Sequence, residues 1–268
     1  MLGQRILTAV GLVAVLAVVL LLLPPTYAVV ALAAMILAGA WEWATLAALQ
    51  SATARIAFTA ACAVLMGALW WCAGSDLDRF ASILIVTMLG WIPLFGWIVL
   101  APGYRHRGFA VIAGLWALAP TWMALARLYQ QADHGRELVV FALILAWAAD
   151  IGAYFGGRYF GRLRLAPRVS PNKTWEGVLG GLLAGMLVAF AGAARFELPP
   201  LAFLSLCIAA VLVSVVGDLV ESMFKRQRGM KDSGNLLPGH GGVLDRIDSL
   251  TSSVPLLALG LCWLGRVT

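Results

Sequence analysis

"ILTAVGLVAVLAVVLLLL", residues 6–23, is a run of 18 residues without a single charge. As a helix it would be about 27 Å long, close to the roughly 30 Å thickness of a bilayer's hydrocarbon core. It is longer than the roughly 7–15-residue core of a cleaved signal sequence, and a second apolar run follows it at once. The reading is therefore a retained transmembrane helix, with "TYA" at Thr26–Ala28 as the cleavage point if the segment were instead removed.

Eight further stretches repeat the pattern. The 268 residues are 62% hydrophobic and only 12% charged, with a mean hydropathy of +0.91, whereas a soluble domain carries about 25% charged residues. A chain of this size cannot bury so much apolar surface away from water, so the bilayer must solvate it. The expected fold is an all-α polytopic integral membrane protein of about nine transmembrane helices: 5–23, 27–49, 54–73, 80–100, 107–129, 137–157, 175–195, 198–223 and 248–265. Pro24-Pro25, Ser51, Gly74-Ser75-Asp76, Pro102-Gly103, His134-Gly135 and Pro199-Pro200 supply the breaks. No internal repeat or separate soluble domain is visible. The chain reads as one transmembrane domain, with N-terminal helices in 1–136 and the chemistry in 137–268, including loops 158–174 and 224–247. Cys62, Cys72, Cys207 and Cys262 lie in or beside apolar spans, form no CxxC pair, and read as small hydrophobes.

Basic residues set the direction. With the N-terminus on the cytoplasmic side, 14 of the 19 Lys and Arg fall on cytoplasmic segments, leaving Arg79, Arg127, Arg136, Arg195 and Arg266 opposite. That asymmetry satisfies the positive-inside rule.

The charges themselves are concentrated in "SMFKRQRGMKDSGNLLPGHGGVLDRIDS", Ser222 to Ser249. Asp218 and Glu221 just before it are three apart, as are Asp245 and Asp248 within it, so each pair shares a helical face. An acid at membrane depth costs roughly 2.5–3.5 kcal/mol on insertion scales, so Asp218 needs a partner or a metal. Oxygen donors with room left for water and phosphate favour magnesium over zinc. Lys225, Arg226, Arg228, Lys231 and Arg246 add positive charge. The glycines of Pro238–Gly242 let backbone amides approach an anion. Each feature has an ordinary reading: a positive-inside loop (notably for Arg228), a turn, a solvated His240. Their conjunction describes a polyphosphate site.

A second candidate region precedes it. Asp150 sits in an apolar span and is either a hydrogen-bonded carboxylate of the bundle or a member of the reaction site. The following loop carries Arg158, Arg162, Arg164, Arg168 and Lys173. Ser170-Pro171 reads as a helix N-cap followed by proline at the first helical position, a start whose amides would favour a phosphate. Gly177, Gly181 and Gly185 form a stripe for close helix packing, inside the bundle or between subunits. Glu42, between Trp41 and Trp43, is either a structural hydrogen-bond acceptor or a residue near the lipid headgroup.

The strip, together with "AADIGAYFGGRYFGR" (148–162) and "SPNKTWEG" (170–177), resembles the phosphatidate cytidylyltransferases, or CDP-diacylglycerol synthases. The first 140 residues match them mainly in character, with "WEW" at 41–43 the likeliest shared detail. The resemblance implies a magnesium-dependent nucleotidyltransferase of phospholipid biosynthesis that joins CTP to phosphatidic acid, releasing pyrophosphate. A second metal or a monovalent cation stays open. The implied metal ligands are Asp218, Asp245, Asp248 and Glu221, and the implied catalytic residues Asp218, Asp245, Lys225, Arg226, Lys231, His240 and Arg246. Substrate-binding roles fall to Asp150, Ser170, Asn172, Lys173, Thr174, Glu176, Ser222, Asp232, Gly239, Gly241 and Gly242. Expected partners are CTP, phosphatidic acid and membrane lipids, with a homodimer open and no nucleic acid. The expected location is a bacterial-type inner membrane with the site facing the cytoplasm. The rival readings are a CTP-dependent polyprenol or lipid kinase, which would release CDP, and an ion-coupled transporter, which would show paired broken helices in two related halves.

Overall fold

A computed structural model describes residues 2–237, 239 and 241–267, the side chains of 2–10 and 12 excepted. Among the described residues there are nine α-helices: α1 Leu2–Leu22, α2 Pro25–Leu46, α3 Ala52–Ala73, α4 Leu77–Leu100, α5 Arg107–Tyr129, α6 Gly135–Phe160, α7 Trp175–Arg195, α8 Pro200–Gln227 and α9 Leu250–Trp263. Helices α2 to α8 are each long and apolar enough to cross a membrane. The breaks use the expected chemistry. The Ser51 hydroxyl accepts from Ala54 N at 3.2 Å and the Asp76 carboxylate from Arg79 N at 3.0 Å, each capping the helix that follows.

Two elements depart from the sequence reading. The expected span 248–265 is a helix of 14 residues, about 21 Å long and short of the hydrocarbon thickness. It starts late because Leu244–Arg246 forms a 3-10 turn first, and nearly all of it is buried. Pro255 within it cannot bond the Thr251 carbonyl; Thr121 Oγ1 of α5 takes that oxygen instead at 2.9 Å. Nor is Ser170 a helix cap. Ser170–Thr174 is strand β2, paired antiparallel with β1, Arg164–Ala166. A residue before proline is driven to extended backbone, so the helix begins only at Trp175, where Thr174 Oγ1 accepts from Gly177 N at 3.1 Å.

The loops sort to two ends of the bundle as the alternating topology requires. At one end Gln227 donates to the Pro102 and Tyr104 carbonyls, both at 3.0 Å, and Arg228 donates to the Leu46 carbonyl at 3.0 Å. At the other, Arg136 donates to Leu21 O at 2.7 Å, Arg127 to Gly74 O at 3.1 Å and Arg266 to Glu197 O at 3.1 Å. Between the two ends lies a core that includes Trp43, Phe80, Phe203 and Phe224. Three of the four free cysteines are buried in it.

The glycine stripe packs inside the chain. A Cβ on Gly177 would lie 2.9 Å from Ala153 O, and one on Gly181 2.9 Å from Ala149 O; one on Gly185 would lie 2.8 Å from Val211 of α8. Gly180 and Gly152 each abut the other's carbonyl. The α6–α7 seam consumes most of this stripe, leaving exposed Leu179, Leu183 and Leu187 on the outer face. Gly180→Ala should force the helices apart at a cost of roughly 1–3 kcal/mol. Thermal melting in detergent should show a lower midpoint than the parent, and an unchanged midpoint would mean that the seam can yield.

Candidate active site

The site is assembled where α8 and α9 meet. A Cβ on Gly217 would come within 2.7 Å of Asp248 O and 2.5 Å of Ser252 Oγ, so only glycine permits this approach. The approach brings Asp218 beside the start of α9. Asp218 is ion-paired to Lys173, which β2 delivers from the α6–α7 loop, and accepts from Ser222 Oγ at 3.2 Å. Asp150 on α6 accepts from Ser249 Oγ at 3.3 Å.

A cavity of about 590 Å³ opens beside these groups between α6, α7 and α8. Asp150, Asp218, Asn172, Lys173 and Thr174, all expected at a site, line it, together with Arg158 and Arg164. The sequence places both arginines in the charged loop of the second candidate region without assigning either to the site individually. Their periodicity could not distinguish them, because the hairpin that turns Arg164 inward was itself not foreseen. Arg158 also donates to the Tyr154 hydroxyl at 2.7 Å. The rest of the lining is largely small and apolar, including Ala149, Ala153, Gly157 and Gly181.

Next to the cavity lies a second group, centred on Lys225. Its ammonium stands 3.0 Å from Glu221 and 2.8 Å from Asp245. Asp245 also accepts from Ser233 N at 3.0 Å and Gly242 N at 2.8 Å. The described residues of 228–246 thus fold as a strap around one carboxylate. Burial alone would raise the Asp245 carboxyl, but Lys225 and these two amides outweigh it and hold the group below its usual value. Asp248 is the opposite case: burial, reinforced by Asp218, Glu221 and Asp150, pushes it well above the usual carboxylate range. Glycine serves the strap at two positive-φ positions, Gly239 (φ 76°) and Gly241 (φ 80°), and Leu237 N donates to Gly241 O at 3.0 Å.

Several expected residues take other roles. Glu176 does not line the cavity; its carboxylate accepts from Arg162 N at 3.1 Å and Leu163 N at 3.2 Å and so anchors the hairpin. Ser170 sits in the strand outside the cavity lining. Arg226 donates to Met230 O at 3.2 Å, closing the start of the strap. Lys231 and Asp232 are exposed, as is Arg246. His240 lies outside the described residues. Glu42, left between two readings, is only 2% exposed and accepts from Leu244 N at 2.8 Å and Ser233 Oγ at 3.2 Å.

The donors suit magnesium in type, being hard oxygens. Both Glu221 oxygens are buried; Oε1 meets the Lys225 ammonium at 3.0 Å, and Oε2 has no hydrogen-bond partner among the described residues. Yet among the described residues no three His, Cys, Asp or Glu side chains converge as a ready metal cluster. Lysines stand between the acids, and Asp245 commits both oxygens to the strap. All four expected ligands, Asp218, Glu221, Asp245 and Asp248, offer carboxylate oxygens at this end of the bundle; three of them are already paired to lysine, and Asp245 also organises the loop.

A sequence model of the Cytidylyltransferase family matches residues 3–263. The chain belongs to this family. A phosphatidate cytidylyltransferase of Pseudomonas aeruginosa is 45% identical over 273 residues, covering 98% of this chain and 97% of the relative. One of Haemophilus influenzae is 38% identical, covering 96% and 98% respectively. In this cytidylyltransferase-family chain the resemblance therefore extends through the N-terminal helices as well as the charged strip.

The Lys225 centre generates a prediction. Lys225→Met would leave the buried Glu221 carboxylate uncompensated, a loss of about 3–5 kcal/mol by the measure of broken buried pairs. Asp245 gives the sign of the pH effect. A depressed carboxyl contributes stability above its unfolded value, and that stability is lost as pH falls through its folded value. Without Lys225 the loss should begin at higher pH. Melting curves across the acid range should show a lower midpoint throughout and an acid limb moved toward neutrality; superimposable limbs would separate Asp245 from Lys225.

Proposed function

We propose that this chain is a phosphatidate cytidylyltransferase of a bacterial cytoplasmic membrane, converting CTP and phosphatidic acid to CDP-diacylglycerol and pyrophosphate. The observation that carries the reading is the cavity at the α6–α8 end of the bundle. It is lined by Lys173, Arg158 and Arg164 together with Asp150 and Asp218, in a chain whose near full-length relatives bear that name. The 14-to-5 distribution of basic residues supports a site on the cytoplasmic side.

The chemistry demands charge neutralisation more than proton transfer. A phosphate monoester with a second pKa near 6 is largely dianionic at neutral pH, so its oxygen is already nucleophilic. That oxygen attacks the α-phosphorus of CTP in line. A new P–O bond forms as the bond to the β-phosphate oxygen breaks, and pyrophosphate leaves with the electron pair. The barrier is the approach of two anions: one unit-charge pair at 4 Å is worth about 4 kcal/mol at an effective dielectric near 20. Lys173, Arg158 and Arg164 offset that repulsion at the cavity, and Lys225 fixes the adjoining carboxylates. Asp218, Glu221, Asp245 and Asp248 would hold Mg2+, which when bound supplies charge neutralisation and Lewis acidity. The small apolar lining accepts the lipid's glycerol end, and the acyl chains stay in the leaflet because leaving it would expose them to water.

Labelled CTP tests the reaction. Label at the α-phosphorus should appear in lipid, and label at the γ-phosphorus in pyrophosphate. Transfer of the γ-label to lipid would instead identify a kinase, and no nucleotide turnover would remove both enzymatic readings. EDTA should stop turnover and added magnesium restore it. Asp218→Asn should retain the fold and lose at least about 100-fold in kcat, the scale of removing one electrostatic stabiliser at the reacting centre.

A further inference from the structure

We infer that Glu42 of α2 is a positioning residue for cytidylyl transfer, holding the strap that carries Asp245 against the Lys225 centre. The inference rests on the proposed reaction but concerns a residue 202 positions away in sequence from the Leu244 amide it binds. Leu244 directly precedes Asp245 in the chain. Ser233 is gripped twice: Glu42 takes its hydroxyl at 3.2 Å and Asp245 its amide at 3.0 Å. Two carboxylates from distant segments thus fasten the same turn of chain.

The strap is also moulded on this side chain. A Cβ on Gly234 would lie 2.7 Å from the Glu42 carboxyl carbon and 2.9 Å from its Cγ, and one on Gly242 would lie 2.7 Å from the carboxyl carbon. An apolar residue of similar volume could fill this space without desolvating a carboxylate. What such a residue would lack is directed acceptors for the Leu244 amide and the Ser233 hydroxyl. One Glu42 oxygen is buried with no hydrogen-bond partner among the described residues, an arrangement that packing alone would not select. Trp43, the next residue, donates its indole N–H to Ala110 O at 2.8 Å and stacks edge-on with Phe224, 5.4 Å away and adjacent to Lys225. Thus α2 is braced against α5 and α8 at the level where Glu42 reaches the strap.

The experiment compares Glu42→Ala, Glu42→Gln and Gly234→Ala in the full-length protein, with CTP and phosphatidate varied independently. Glu42→Ala should lower kcat/KM for CTP by roughly 10–100-fold, the scale of one lost hydrogen bond to a charged group. KM for phosphatidate should stay within about twofold, because interactions lost outside the lipid's site should leave its binding untouched. Glu42→Gln keeps an acceptor for Leu244 N and should stay within about fivefold of wild type, as one retained hydrogen bond allows. Gly234→Ala displaces the carboxylate without deleting it and should show the same CTP-selective loss, which also covers the case where Glu42→Ala fails to fold. Combined with Glu42→Ala it should add little, since the two changes break one interaction. Hydrogen–deuterium exchange of the 231–246 peptide should accelerate in Glu42→Ala and Gly234→Ala. Wild-type kinetics in Glu42→Ala, or equal losses for both substrates with no rescue by glutamine, would overturn the assignment. If the wild-type protein itself released no pyrophosphate from CTP, the proposed reaction would fall, while unchanged exchange in the strap would independently refute the clamp.

Discussion

A lysine ammonium buried between two carboxylates is the interaction on which the site depends. Lys225 is 8% exposed and Glu221 1%, so neither charge can be left alone without a large desolvation penalty. Lys225 projects from the last turns of α8, Glu221 lies one turn before it, and Asp245 comes from the far side of the strap. Satisfying that one cation therefore sets both where α8 ends and how the strap folds back. Asp218, one turn deeper on α8, faces the cavity and is matched by Lys173 from the hairpin. Alternating cations and anions let five carboxylates share one end of an apolar bundle.

Helix packing makes this alternation geometrically possible. Glycine at 217 allows α9 to press on α8, and the glycines of α6 and α7 remove the side-chain layer between those helices. Elsewhere the bundle presents leucine and aromatic residues to lipid in the ordinary way. Backbone meets backbone closely between α6, which bears Asp150, and α7, and between α8, which bears Asp218, and the start of α9 beside Asp248; a wider spacing there would separate charges that compensate one another.

Some of this organisation was legible in local sequence. Helices were readable from apolar length, their ends from Ser51, Asp76 and the proline pairs, and the charged strip from composition. Ser170 misled because the Ser-Pro pattern is shared by helix starts and extended strands; the pairing with Arg164–Ala166 that decides between them is a tertiary fact. Arg158 and Arg164 were visible as charges but not as cavity residues. Glu176, though near the cavity in sequence, turned to unpaired amides at Arg162 and Leu163 because those were the donors within reach.

The sequence by itself determined that the chain is built to lie in a bilayer, where most of its helices run, which loops share an end, and that one strip concentrates charge and glycine. These follow from hydrophobicity, charge and turn preference, all properties of contiguous residues. Only the tertiary structure decided which acid each lysine compensates, that Asp245 accepts from the amides of its own loop, and that a glutamate in the second helix reaches that loop. A buried charge is satisfied by whatever partner packing brings within hydrogen-bonding distance, and sequence separation places no limit on that choice.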